Sequence, residues 1–499
     1  MAEASIALNR FGLGCRPGDA VVDRPRRALL DQLDRYDARP ELIATLPPSQ
    51  QIASDLADYL AAQREIRRDV DRPQRSAPRA PQTDPAMRED AAMRDAPATA
   101  GADDADPVKQ ARQFARQQAQ RYYATGVQAR MQVAILSDAP FVERLVHFWS
   151  NHFAVSIDKL TTVGLAGAFE FEAIRPHVLG RFRDMLHAAE RHPAMLLYLD
   201  QVQSIGPNSR GGQLARSRQG RQPGLNENLA REILELHTLG VRTGYSQEDV
   251  TEFARAMTGW SVSGLGRGRG ARFAGADGEH GRFMFAPVLH EPGARMILGQ
   301  RYGQEGEAQA SAVLDMLAAH PATARHLATK LARHFAGDDP PPALVARLEK
   351  AYLASDGDLP TLYRTLVEAP ECWVARPLKF KTPWEWSVSA LRALGAREVQ
   401  PQVSVGLLRQ LGQPVWQPGS PAGWDDIAAS WAGPDAILRR VEAAQRFGQR
   451  TRDTIDARAR VEELFPAALS PGTAQAIARA ESPGQGVALM LVAPEFLRR

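Results

Sequence analysis

The chain has 499 residues, 44% of them hydrophobic, and its 61 basic and 58 acidic side chains leave a net charge of +3. That length suits two to four domain-sized units or one large multi-lobed body, with enough apolar material for a sizeable core. The near balance of charge excludes a globally basic nucleic-acid binder and gives no general attraction to an anionic membrane.

Taken in chain order, the opening Met1–Arg10 lacks the basic n-region and apolar h-region of a signal peptide. No stretch approaches the roughly 18 apolar residues of a membrane span. As written, the chain reads as non-exported and cytoplasmic. The two cysteines, Cys15 and Cys372, form no disulfide framework and read as free thiols. Three-to-four spacing of apolar residues dominates, which predicts a mainly α, multi-helix body. The abundance of Ala, Leu, Arg, Gln and Glu favours the same. Residues 1–67 form an N-terminal helical part. Residues 68–107 are rich in Pro, Ala, Asp and Arg and poor in large apolar side chains. They cannot bury enough surface to offset their ordering entropy, and they read as a disordered insertion.

A central helical domain is expected over 108–300. It starts with a polar, Gln- and Arg-rich helix, Ala111–Arg130. Asp138 is placed to cap the helix entered through Ala139-Pro140. Gln203–Leu225 reads as an irregular, basic stretch carrying Arg210, Arg216, Arg218 and Arg221. Ser246-Gln247-Glu248-Asp249 resembles a capping box. Phe283-Met284-Phe285 and Met296-Ile297-Leu298, either side of His290-Glu291-Pro292-Gly293, read as the arms of one β-hairpin. A C-terminal helical domain is expected over 301–499. It contains a capping box with proline in the first turn, Thr382-Pro383-Trp384-Glu385, and a similar signal at Ser482-Pro483-Gly484-Gln485.

The densest polar cluster is Asn226–Thr238, within a helix–turn–helix element reaching Trp260. At about 100° per residue, Asn228, Glu232 and Glu235 share one flank of a helix, beside the apolar face of Leu229, Ile233 and Leu236. Two carboxylates so placed suit a general acid/base pair or hard metal ligands. The structural alternative is pairing with Arg231 and Arg255. His237 falls on the other flank, near the C-terminal turn where the helix dipole favours a cation. A second cluster, Glu143–Phe153, puts His152 on the apolar stripe with Phe141, Leu145 and Phe148, and Glu143, His147 and Asn151 on another. His290 with Glu291 is a third candidate, as ligand or base. Lys330, Arg333 and His334 form a cationic face at i, i+3, i+4. The resulting site assigns Glu232, Glu235 and His290 to catalysis. Asn226, Asn228, Arg210, Arg221, Lys330 and Arg333 bind substrate, and Glu232, Glu235 and His152 hold a divalent metal. No phosphate loop, Gly-x-Ser-x-Gly elbow or His-Glu-x-x-His motif is present.

Several segments together resemble a bacterial family catalogued as domain of unknown function 1800. They are Leu8–Gly14, Phe148–Phe153, Ile174–His177, His192–Met195 with Tyr198–Asp200, and the whole run Gly224–Trp260. His290, Lys330–Phe335, Lys379–Pro383 and Gly423-Trp424 complete the match, which covers nearly the entire chain. Ser150 stands where the family often has His, and Gln201 where it usually has Asn. The resemblance implies an uncharacterised protein, often encoded beside a sulfatase- or phosphatase-like partner and often exported. Two functions are left open: a metal-assisted enzyme acting on an anionic substrate through the Glu/Asn/His cluster, or a non-enzymatic binding or assembly partner of such a protein.

Overall fold

A computed structural model describes residues 2–19, 23–70, 107–219, 224–265, 280–377, 379–451, 454–466 and 468–499. The fold is mainly α, with two antiparallel two-stranded sheets among these residues. The expected insertion, 68–107, falls almost entirely outside them. Its edges belong to helices, Ser49–Val70 and Pro107–Leu136 (α1). No described helix is long and apolar enough to cross a membrane. Both cysteines are free and buried.

The elements that matter for function start where the sequence signals them. Pro140–His152 (α2) begins with proline in its first turn, where a missing N–H costs nothing. Asp138 is not its cap. Ser137 Oγ instead accepts from Ala139 N, and Asp138 pairs with Arg16 at 2.6 Å. The polar segment forms Asn228–Glu232 (α3), a π-helical turn over Ile233–His237, and Gln247–Ala256 (α4). The Ser246/Asp249 capping box of α4 is present with both reciprocal bonds. Between Gln203 and Leu225 the chain is not wholly irregular, because Arg210–Gln219 is helical.

The two expected strands form, the second as Arg295–Ile297, but each pairs with a strand that was not expected. Trp260–Val262 (β1) pairs with Phe283–Phe285 (β2), and Arg295–Ile297 (β3) pairs with Gln300–Tyr302 (β4). The second hairpin closes through Leu298 and Gly299, both at positive φ. That is the two-residue turn whose twist suits an antiparallel pair. It leaves β3 no need of β2, so His290 sits in the connection between two sheets rather than at the tip of one hairpin.

Pro321–Ala336 (α5) is capped by the His320 side chain and buries Leu327, Leu331 and Phe335. Its other flank carries His326, Lys330 and His334 at i, i+4, i+8, one stripe of a helix. Phe335 stacks on Phe11 at 5.5 Å and meets Phe141 edge-on at 6.0 Å. Such pairs add about 0.5–1.5 kcal/mol each beyond burial and hold α5 against α2. Pro383–Ala393 (α6) starts with the full Thr382/Glu385 capping box. At Ser482 the cap exists, but Gln485 reaches Glu481 N rather than closing a box.

The core has two parts. One runs from Ile6 through the central helices to Trp373, passing across residue 300. The other gathers Leu13, part of α1 and most of the apolar residues from Trp384 to Phe496.

Candidate functional site

A cleft of about 430 Å³ lies where the two cores meet. Phe148, His152, His326, Lys330 and His334 line it from α2 and α5. Trp384, Trp416, Trp424 and Asp426 line it from the C-terminal part. Four histidines border it, and each tautomer follows from a partner that can play only one role.

His334 Nδ1 lies 2.7 Å from Asp426 Oδ2. A carboxylate only accepts, so the His334 proton is on Nδ1, and Nε2 keeps its lone pair with no partner in the protein. His147 is the reverse. The indole N–H of Trp384 donates to its Nδ1 at 3.1 Å, so its proton is on Nε2, which is also unpartnered. His152 donates Nε2–H to the carbonyl of His237 at 3.1 Å and accepts the Lys330 ammonium at Nδ1, 3.0 Å away. His326 donates Nε2–H to the carbonyl of Leu236 at 3.0 Å. The two carbonyls end the π turn, where regular helical bonding has stopped.

Charge in the cleft is arranged around these rings. Burial would raise the Asp426 carboxyl, but His334, Lys379 and Arg499 outweigh it and hold it well below the carboxylate range. Burial pushes His334 below the ordinary imidazole value despite Asp426. It does the same to His147, helped by Arg130, and to His152, helped by Lys330. Burial would also raise Glu385, yet Arg499 and Arg144 draw it down to about 2. Arg144 is itself buried, on Glu385 and on the carbonyl of Gly12. Arg130 pairs with Glu170 and stacks on Trp384 with its guanidinium 4.0 Å from the ring. Lys330 forms no ion pair among the described residues. Burial, opposed by Asp426 and aided by Arg333, brings its amine down to about 8.

Trp424 is set by Asn151, whose side-chain amide takes both the Trp424 N–H at 2.7 Å and its carbonyl at 2.8 Å. Gly423 makes this approach possible. It has φ +82, and a Cβ there would lie 2.3 Å from the Asn151 carbonyl oxygen. Trp416 is held by its Nε1–H on Glu170, 3.0 Å away.

Of the sequence-derived site residues, the structure brings together His152, Lys330 and Arg333 in this cleft. Glu232, Glu235, His290, Asn226, Asn228 and Arg210 do not line it. Asn226 binds the carbonyls of Leu199 and Asp200 and caps Asn228 N. Asn228 is exposed. Glu235 pairs with Arg231 at 3.6 Å. Glu232 is half-buried. Burial, with Glu235 adding and His237 opposing, raises its carboxyl above the usual range. His290 Nδ1 donates to Thr258 O at 2.9 Å, and Glu291 holds Asn208 through two bonds. Arg210 is exposed, and Arg221 lies outside the described residues. His237 ends the π turn, as expected of a residue near a helical C-terminus, and is wholly buried with Nδ1 2.8 Å from Glu190. No group of three or more His, Cys, Asp or Glu among the described residues is arranged to hold a metal ion. Both His152 nitrogens are engaged, and one of them faces an ammonium, so that ring is not disposed to ligate.

Sequence reasoning singled out His147 and His334 as helix-face residues but did not assign them to the site. Asp426, Arg144 and Glu385 were missed because they reach the cleft from segments hundreds of residues apart. The available signal was the set of short matching segments. Phe148–Phe153, Lys330–Phe335, Lys379–Pro383 and Gly423-Trp424 all contribute to this cleft or its immediate support.

A family model described as "Protein of unknown function (DUF1800)" matches residues 6–498. No curated protein and no solved structure matches the chain.

Proposed function

Given that the chain belongs to the DUF1800 family, whose description assigns no activity, we propose a function from the cleft: acid–base catalysis on a substrate with a negative charge and a ring-bearing or apolar portion. The observation that carries the reading is His334. Its Nδ1 is held by an ionised Asp426, and its Nε2 is left without a partner beside a cleft. An unpartnered buried polar group costs about 1–3 kcal/mol, and a substrate hydroxyl or water would satisfy it. In this reading His334 Nε2 takes that proton, and Asp426 steadies the imidazolium that results. His147 Nε2–H donates to an oxygen on which charge develops. Lys330 and Arg333 line the side of the cleft that takes the anionic group, with Arg333 as its fixed cation, and Trp416 and Trp424 cover the remainder.

The anionic substrate of the sequence reading is kept, and the chemistry moves from Glu232 and Glu235 to His334. A sulfatase- or phosphatase-like partner, implied by the family resemblance, fits a shared anionic substrate. A divalent metal on His152 is not part of the reading, for the reason its two hydrogen bonds give. The test is a panel of chromogenic carboxylic and phosphoric esters assayed with the wild-type chain, His334→Gln and Asp426→Asn, with circular dichroism to check folding. Turnover by wild type and its loss in both folded variants is expected. Turnover that persists in folded His334→Gln would sink the reading.

A further inference from the structure

The chain has only six lysines, and among the described residues Lys330 is the one that lines the cleft. Lys159 is tied to Asp200, and Lys379 to Asp338 and Asp426. Lys350 is exposed, and Lys381, though its Nζ has no hydrogen-bond partner, is buried over the Phe496 ring and does not line the cleft. Lys330 has no carboxylate partner among the described residues. Its nitrogen instead meets a neutral acceptor, His152 Nδ1, at 3.0 Å. That acceptor is fixed, because the other nitrogen of the ring is committed to the His237 carbonyl. The nearest carboxylate, Asp426, acts on it only through its charge and makes no bond with it. An amine that lines a cleft with no ion pair is held less firmly as the cation than a paired one, and the His152 contact fixes where its nitrogen lies.

We infer that Lys330 is an imine-forming lysine and that the cleft takes a small anionic aldehyde or ketone, an assignment that rests on the cleft being the substrate site proposed above. The neutral amine attacks the carbonyl carbon, and a C–N bond forms. Both amine hydrogens leave with the carbonyl oxygen as water, giving Lys330–N=C. No oxidant, reductant or second substrate is needed. Protonated, the imine withdraws electrons from the neighbouring carbon. His334 Nε2, the unprotonated ring on the same helix one turn away, is the base suited to remove a proton there. The charged and titratable groups facing the amine are His152 from α2, His326 and Arg333 from its own helix, and Asp426 from the segment before Pro434. Among them the amine titrates near 8, which leaves a substantial neutral fraction at neutral to mildly alkaline pH.

The full chain is incubated with glyoxylate and cyanoborohydride, and the reduced adduct is mapped by peptide mass spectrometry. The expected result is labelling of Lys330 about tenfold faster or more than of the exposed Lys350, reflecting a larger neutral fraction than an ordinary lysine has. Inorganic phosphate should slow labelling at Lys330 and not at Lys350. Lys330→Arg should carry no adduct in that peptide. Labelling of Lys350 at a rate equal to or above that of Lys330 overturns the assignment, and this outcome needs no variant to fold. Phosphate also separates the two proposals. If it raises the melting temperature of wild type but not of Lys330→Met, while Lys330 stays unlabelled, the anion cleft stands and the imine falls. If Lys330 labels selectively and phosphate neither protects nor stabilises, the imine stands and the anion reading of the cleft falls.

Discussion

Two polar regions lie back to back across the Leu236–His237 carbonyls. On one side, Asn226, Glu227, Arg231, Glu235 and Gln247 bond largely to one another and to nearby backbone. On the other, His147 and His334 each keep a ring nitrogen without a partner, and Lys330 meets only a neutral ring. A polar network that satisfies itself holds a fold in place. One that leaves fixed donors and acceptors open beside a cleft retains capacity for something else. The difference lies in what remains unbonded rather than in how many charges are present.

The sharpest way to break this comparison is His334→Gln. If the cleft performs proton transfer, turnover should fall by about 10²–10⁴-fold, with little change in melting temperature. A similar loss from Glu232→Gln would move the chemistry to the other region. Next in size is Arg144→Met, which leaves the Glu385 carboxylate buried with one cation fewer. Urea unfolding should show a loss of about 3–5 kcal/mol. The same pairing has a pH signature. Glu385 is near 2 in the folded chain and about 4.3 unfolded. The stability it contributes is therefore fully present above about pH 4.3 and is lost as pH falls toward 2.

Lys330 gives a smaller effect of opposite origin. Its folded amine titrates near 8 and an unfolded lysine near 10.4. Between those values the unfolded chain binds more protons, so stability should rise with pH over that window. The expected gain is about 1–2 kcal/mol, less than the full shift because the amine is partly open to the cleft. Urea titrations at pH 8 and pH 10 should show the slope, and Lys330→Met should reduce it, leaving the part that the buried Lys381 contributes. The smallest effect belongs to the self-satisfied region. Glu235→Gln removes a partly exposed pair with Arg231 and should change stability by less than about 1 kcal/mol. A larger loss would show that this surface network does more than its geometry suggests.

Helical periodicity, proline and capping signals were sufficient to place most elements. The capping boxes at Ser246 and Thr382 form as their residue types require, because cap chemistry is local. Two of the four strands, β2 and β3, were legible too, but their partners β1 and β4 were not. A two-residue turn at Leu298-Gly299 closed β3 on β4 and left β2 to β1. The α-helical wheel placed Glu232 and Glu235 on one flank, yet the π turn at Ile233 changes the rotation from there on. No spacing in the sequence announced that turn. What it contributes to the cleft is two carbonyls, and a carbonyl has no residue type to read.

By itself, the sequence determined a mainly helical chain, its free cysteines, the face of Lys330, Arg333 and His334 on one helix, and the family to which the chain belongs. Only the tertiary structure decided which polar groups are paired and which are left open. Asp426 reaches His334, and Trp384 reaches His147, across long stretches of chain. Those contacts set the tautomer and charge of each ring. A side chain's chemistry depends on its partner, and partners this far apart in sequence are brought together only by folding.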